Sequence, residues 1–169
     1  MLRLRPYKPC DAKTIVTWIK DERSFRKWCA DRIDEYPLTA NGLNAHYKEM
    51  ENSDSFWPMV VFDESGIVGQ FIMRFTDKEK KSVRLGFIMV DGDKRGKGYG
   101  KQMLQLALKY AFELLKVEEV TLGVFANNDS AYQCYKTVGF KEIEGEQSYY
   151  KVFGEEWACL EMQYRKYDE

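Results

Sequence analysis

Four glycines, Gly92, Gly96, Gly98 and Gly100, fall between an apolar run ending at Val90 and the amphipathic stretch Lys101-Gln102-Met103-Leu104-Gln105-Leu106-Ala107-Leu108. The junction reads as strand, turn, helix. Glycine lets the backbone turn sharply and approach a ligand without a Cβ in the way. The free N–H groups that open the helix point outward, and the helix dipole favours an anion there. Lys94, Arg95, Lys97 and Lys101 add positive charge. The loop therefore predicts a site for a phosphate-bearing ligand; the plain alternative is a flexible turn that only starts a helix. The nucleotide-hydrolase template G-x-x-x-x-G-K-[ST] fails, because Gln102 follows Gly100-Lys101 and Arg95 stands at the first glycine. The dinucleotide template G-x-G-x-x-G fits Gly96 and Gly98 and then meets Lys101. The pattern that does fit is Arg95-x-x-Gly98-x-Gly100.

Around this junction the 169 residues read as one unit, with no repeat, low-complexity tract or Pro/Gly/Ser-rich linker. Leu2-Arg3-Leu4-Arg5 alternates and stops at Pro6, which predicts a short first strand. Asp11 is placed to cap a helix reaching about Lys20, with Ile15, Val16, Trp18 and Ile19 as its apolar face. Further helices are predicted over 24–30 and 41–50. Apolar runs over 59–63 and 67–75 flank Glu64-Ser65-Gly66, a hairpin signal. After a charged turn over 76–81 comes a strand over 83–90, interrupted by Gly86, which marks a bulge. The helix after the glycines reaches about Leu115. A strand over 120–125 follows, then Asn127-Asn128-Asp129-Ser130 as a helix cap and a helix stopping at Gly139. Final strands are expected over 140–143 and 157–164. The fold class is mixed α/β, with a largely antiparallel sheet and helices against it.

Composition removes several function classes. The 26 basic and 27 acidic residues leave a net charge of −1, so no excess of basic charge supports general nucleic-acid binding. No apolar stretch approaches the ~18 residues of a membrane span, and Met1-Leu2-Arg3-Leu4-Arg5-Pro6 lacks the apolar core of a secretion signal. Cys10, Cys29, Cys134 and Cys159 are irregularly spaced and His46 is the single histidine. No metal site and no disulfide framework are expected; the four thiols suit a cytoplasmic protein. His46, in a charged stretch, is expected to be solvated.

Val90-Asp91-Gly92-Asp93-Lys94-Arg95-Gly96-Lys97-Gly98-Tyr99-Gly100 resembles the acetyl-coenzyme A loop of the GNAT N-acetyltransferases, whose pattern is Gln/Arg-x-x-Gly-x-Gly/Ala after a strand and before a long helix. Asn128-x-x-Ala131-x-x-x-Tyr135-x-x-x-Gly139-Phe140 is similar to a second segment of that family, in the right order and with a strand between. The resemblance covers residues 83–140. The opening Leu2-Arg3-Leu4-Arg5-Pro6 and the helices of Trp18 and Trp28 are similar to the branch that includes ribosomal-protein N-terminal acetyltransferases. The resemblance implies one N-acetyltransferase domain over 1–169. It implies a central sheet of about seven strands flanked by helices and splayed at the fourth and fifth strands.

It also implies a use for each motif. Backbone amides of Arg95, Gly96, Lys97, Gly98, Tyr99, Gly100 and Lys101 would hold the pyrophosphate of acetyl-CoA. Ile88, Met89 and Val90 would pair through their backbone with the pantetheine arm, with Gly86 helping to part the strands. Asn128 and Tyr135 are spaced to share one helix face about two turns apart. Tyr135 is then the general acid toward the leaving thiolate, and Asn128 a cofactor contact. The plain alternatives are a core aromatic and a simple cap, with Asn127 and Tyr132 as neighbouring candidates. Trp18, Phe25 and Trp28 lie where the family builds its acceptor pocket, and Trp28 is the residue expected to touch substrate; plain helix packing is the alternative.

The acceptor is expected to be a primary amine, on a small molecule or on a peptide N-terminus or lysine, attacking directly in a ternary complex. A lysine-like amine with pKa ~10.4 must lose its proton first, at a cost of about 4–5 kcal/mol at neutral pH. The glutamate that some family members carry on the strand before the asparagine helix is Gly123 here, and Arg84 occupies another likely place for an acid. Glu22, Glu35 or a water relay remain, and no base is assigned. A CoA-binding sensor without transfer activity and a nucleotide-binding regulator are the rival readings. The chain is expected to act as a monomer or homodimer.

Overall fold

Neighbouring residues of the central strands enter two different cores. Val61 and Met73 pack into one, and Val60 and Ile72 into the other, as a strand buried on both faces requires. The computed structural model describes residues 1–51, 53 and 55–167. Its elements are β1 (Arg3–Pro6), α1 (Ala12–Ile15), α2 (Glu22–Cys29), α3 (Ala40–Met50), β2 (Phe56–Asp63), β3 (Gly66–Phe75), β4 (Ser82–Val90), α4 (Tyr99–Lys109), β5 (Glu119–Phe125), α5 (Asp129–Val138), β6 (Lys141–Val152) and β7 (Glu155–Arg165). One seven-stranded sheet runs in the order β1-β2-β3-β4-β5-β7-β6. Every adjacent pair is antiparallel except β4–β5. Helices α1 to α3 cover one face through Ile15, Phe25, Leu43 and Tyr47. Helices α4 and α5 cover the other through Met103, Leu104, Ala107 and Tyr135.

The parallel pair is short. It runs from Ser82↔Glu119 to Leu85↔Leu122. Past that point β4 continues along β3 as far as Val90, and β5 continues along β7 as far as Phe125. The sheet therefore opens into a wedge, as the splay expected at the fourth and fifth strands requires. A bulge tilts β4 at this place: Gln70 faces Met89 while Ile72 faces Gly86, so Phe87 and Ile88 share the space opposite Phe71. The bulge falls beside Gly86 as expected, but the left-handed residue is Phe87, at φ 48°. A bulky non-glycine residue there costs of order 1 kcal/mol or more. A buried network holds it: Tyr47 Oη donates to Gln70 Oε1 at 2.7 Å, and Gln70 Nε2 donates to the Phe87 carbonyl.

Several boundaries differ from the sequence reading for identifiable reasons. Asp11 does not cap the first helix. Its buried carboxylate accepts two 2.8 Å bonds from Arg5 and one from the Lys8 N–H, closing the turn before α1. The helix expected to reach Lys20 is instead α1 followed by a 3-10 turn ending at Trp18. The true caps lie just outside the expected starts: Asp21 accepts from the Ser24 N–H at 2.7 Å and Thr39 from the Gly42 N–H at 3.0 Å. α4 is prolonged by a π-helical turn, Tyr110–Leu114, giving the expected reach to about Leu115. β6 runs to Val152, far past the expected end at 143. It lies at the sheet edge with both faces largely exposed, so no alternating pattern announces it.

Candidate active site

The wedge holds a cavity of about 490 Å³. One wall is the end of β4, where Ile88, Met89 and Val90 all line it. The floor is the glycine loop and the start of α4, and the far wall is α5. Met89 and Phe87 send their side chains into the core under α1 to α3, so only backbone groups of this stretch are free to pair with a ligand.

The loop has the form that an anion cradle needs. Gly96 and Gly98 are left-handed, at φ 76° and 81°. A Cβ on Gly96 would meet no atom within 4 Å, so backbone shape, not crowding, sets glycine there. α4 starts at Tyr99 without a side-chain cap. The N–H groups of residues 96–101 donate to no backbone carbonyl among the described residues; the first to do so is that of Gln102, to Gly98 at 3.1 Å. Arg95, Gly96, Gly98, Tyr99, Gly100 and Lys101 line the cavity, together with Lys94. Lys97 does not, so its backbone alone remains relevant. Tyr99 turns its hydroxyl to Asp63, donating at 2.8 Å, which anchors the loop to the β2–β3 hairpin. α5 passes close by: Cys134 Sγ lies 3.4 Å from where a Cβ on Gly100 would stand, an ordinary contact. Free N–H groups, a helix N-terminus and flanking cations are the donor set that a diphosphate calls for.

On the opposite wall, Tyr135 is 7% exposed and faces the cavity from α5. Its hydroxyl donates to no protein group among the described residues. Burial pushes its pKa above the ordinary phenol value, and the neighbouring Cys134 adds to the effect. It is a protonated donor across the physiological range. Asn128 also lines the cavity, but its side chain makes no cap bond, so the capping role expected of it is not the one it plays. The neighbouring candidates are turned elsewhere. Asn127 is exposed, and Tyr132 donates to Glu142 at 3.0 Å on β6.

The acceptor side is partly as expected. Trp18 and Trp28 line the cavity, whereas Phe25 is fully buried beneath them. Trp28 packs against Phe87 with centroids 4.8 Å apart and the rings tilted by 40°, and its indole N–H is buried with no partner among the described residues. His46 is half-buried against Phe87, not solvated, and burial lowers its pKa. Glu22 and Glu35 are exposed and line neither side. The sequence reading missed Glu161 of β7. Both its oxygens accept from Arg84, and Oε1 would lie 3.3 Å from a Cβ on Gly123. Arg84 Nη2 would lie closer still, at 2.7 Å. Gly123 is glycine because this ion pair lies over it. Arg84 and Glu161 are 77 residues apart, and no local spacing connects them.

The fold and this wedge define a class. A family model described as "Acetyltransferase (GNAT) domain" matches residues 1–141, and the chain belongs to that family. Among solved structures it is similar to spermidine N-acetyltransferase from Vibrio cholerae in complex with CoA and spermine, with a TM-score of 0.81 at 20% identity, covering 98% of this chain and 95% of that one. Among curated proteins it is 27% identical over 106 residues to the SPbeta prophage-derived uncharacterized N-acetyltransferase YokL of Bacillus subtilis, covering 62% of this chain and 59% of that one. It is 34% identical over 65 residues to the spermine/spermidine N(1)-acetyltransferase of Bacillus subtilis, covering 38% and 43%. The chain thus spans less than two thirds of these two relatives. No helix among the described residues is long and apolar enough to cross a membrane.

Proposed function

We propose that the chain transfers an acetyl group from acetyl-CoA to a primary amine, by direct attack of the amine in a ternary complex. The observation that carries this reading is the wedge itself: free main-chain donors at residues 96–101 on one side and the unpartnered Tyr135 hydroxyl on the other. Residues 96–101 bind the diphosphate, Lys94, Arg95 and Lys101 add charge, and the backbone of residues 88–90 aligns the pantetheine arm. Asn128 contacts the arm where α5 begins. Tyr135 holds its proton until the thiolate forms and then donates it. Trp28 packs against the acceptor. Primary amines of small molecules, polyamines among them, and of peptides are the acceptor class; the polyamine candidates come from the names of similar proteins. Four free thiols suit a reducing, cytoplasmic setting.

The rival is a CoA-binding sensor without turnover, favoured by one observation: no free carboxylate stands at Gly123, where the Arg84–Glu161 pair lies. Tyr135→Phe separates the two. The enzyme reading expects kcat to fall about 10²-fold or more with the Kd for acetyl-CoA within about twofold. An unchanged kcat removes the acid role of Tyr135, and no turnover in the wild type with intact CoA binding favours the sensor.

A further inference from the structure

A second cavity, of about 80 Å³, adjoins the first and shares Lys27, Trp28, Gly86, Phe87 and Gly123 with it. It opens on the face of the sheet that carries α2, with Lys27, Trp28 and Cys29 in its wall, the side on which the acetyl-transfer reading places the acceptor. Its charges are one-sided. Lys27, Arg32 and Arg84 line it, and among the described residues no carboxylate does. Arg74 stands directly opposite Arg84 in the β3–β4 register, on the same face. It is half-buried and lines neither cavity; burial, then Arg84 and Arg32, destabilise its charged form, and Glu161 offsets part of this. Glu161 is the one carboxylate in this group, and Arg84 takes both of its oxygens. Lys27, Arg32 and Arg74 have no ion-pair partner among the described residues. Exposed Asp31 pairs with none of them, and exposed Asp21, whose charge reaches Lys27, lies outside the cavity and caps α2 through the Ser24 N–H. The chain as a whole is nearly neutral, at −1, so this local excess is not a general property of its surface.

Two consequences follow for an amine entering here. A second ammonium group on the same molecule meets like charges and, among the described residues, no carboxylate in the cavity wall, which costs affinity. A carboxylate meets guanidinium forks that match its planar geometry. We propose that the preferred acceptor is a primary amine carrying a carboxylate at its far end, selected over polycations by Lys27, Arg32 and Arg74 around the Arg84–Glu161 pair. The small volume beside the guanidinium favours a carboxylate over bulkier anions. The inference deepens the acetyl-transfer reading and rests on it for the position of the amine.

The test uses amines that differ only at the far end: 5-aminopentanoate, 5-aminopentanamide and 1,5-diaminopentane, with spermidine as a further polycation. With saturating acetyl-CoA and release of free thiol as readout, kcat/KM for the carboxylate is expected to exceed that for the diamine at least tenfold, about 1.4 kcal/mol, with the amide between. In the Arg32→Gln/Arg74→Gln variant the gap is expected to shrink to about threefold or less, with acetyl-CoA affinity retained. Diamine or spermidine equal to or better than the carboxylate overturns the proposal. A second readout needs no turnover: binding of 5-acetamidopentanoate and of N-acetyl-1,5-diaminopentane to the CoA-saturated protein by calorimetry. Tighter binding of the carboxylate is expected; equal, reversed or undetectable binding overturns the proposal. If no amine reacts while this binding order holds, the transfer reading fails and the charge selection stands.

Discussion

Tyr135 shows how burial can prepare a single side chain for a task. Removing solvent destabilises the phenolate more than the phenol, so its pKa lies above the ordinary value. The active form is the protonated one, and raising the pKa keeps it protonated to higher pH. The acetyl-transfer reading therefore predicts that kcat, measured with saturating substrates, shows no descending limb below about pH 10. Cys134, also pushed up by burial, adds none below its ordinary range. A fall in kcat centred near pH 8 would assign the proton to another group. At this scale the sequence was informative wherever a single helix carries the signal. The spacing of Asn128, Tyr135 and Gly139 is local, and the structure puts the first two on one cavity. The Arg84–Glu161 pair was invisible, because only the crossing of β5 between β4 and β7 brings these residues together. Asp11 was misread for a related reason: its partner Arg5 belongs to a neighbouring element, and a cap and an ion pair look alike in sequence.

Among the elements, β4 is the one on which the wedge depends. Its bulge keeps Phe87 left-handed, and the Gln70 amide ties that carbonyl to Tyr47 on α3. Gln70→Leu removes the tie and strands two buried polar groups, the Tyr47 hydroxyl and the Phe87 carbonyl. A loss of about 2–4 kcal/mol is expected by denaturant titration. Because residues 88–90 follow the bulge, the KM for acetyl-CoA should rise as well; a variant that lost stability while keeping KM would uncouple the bulge from the pantetheine wall. The legibility of elements tracked burial asymmetry. β2, β3 and β4 were readable from apolar runs, and α5 from its cap region and its terminal glycine. The second half of β6 was not, since a strand exposed on both faces carries no alternation. Its charges and the left-handed Gly145 instead suit an edge that must avoid pairing with other chains.

For the molecule as a whole, the two halves of the sheet are joined across the wedge by four paired positions, Ser82 to Leu85 with Glu119 to Leu122. A ligand lying between β4 and β5 bridges what the chain leaves apart. Saturation with acetyl-CoA at about 100 times its Kd should add ~2.7 kcal/mol to stability. In hydrogen exchange, protection should increase at the amides of residues 88–90 and 96–101, with residues 82–85 already protected in the free protein. Equal gains at both places would mean a global tightening and no bridging contact. The splay was what the family resemblance implied, whereas the order of the elements was readable from apolar runs and turn signals along the chain. The direction from which an amine arrives was not, since it depends on which half of the α1–α3 face the helices leave bare. A gap formed by two diverging strands belongs to the path of the main chain, not to any side chain that borders it. Substitution of bordering side chains can thus leave the opening in place, because it rests on where β4 and β5 part after Leu85 and Leu122.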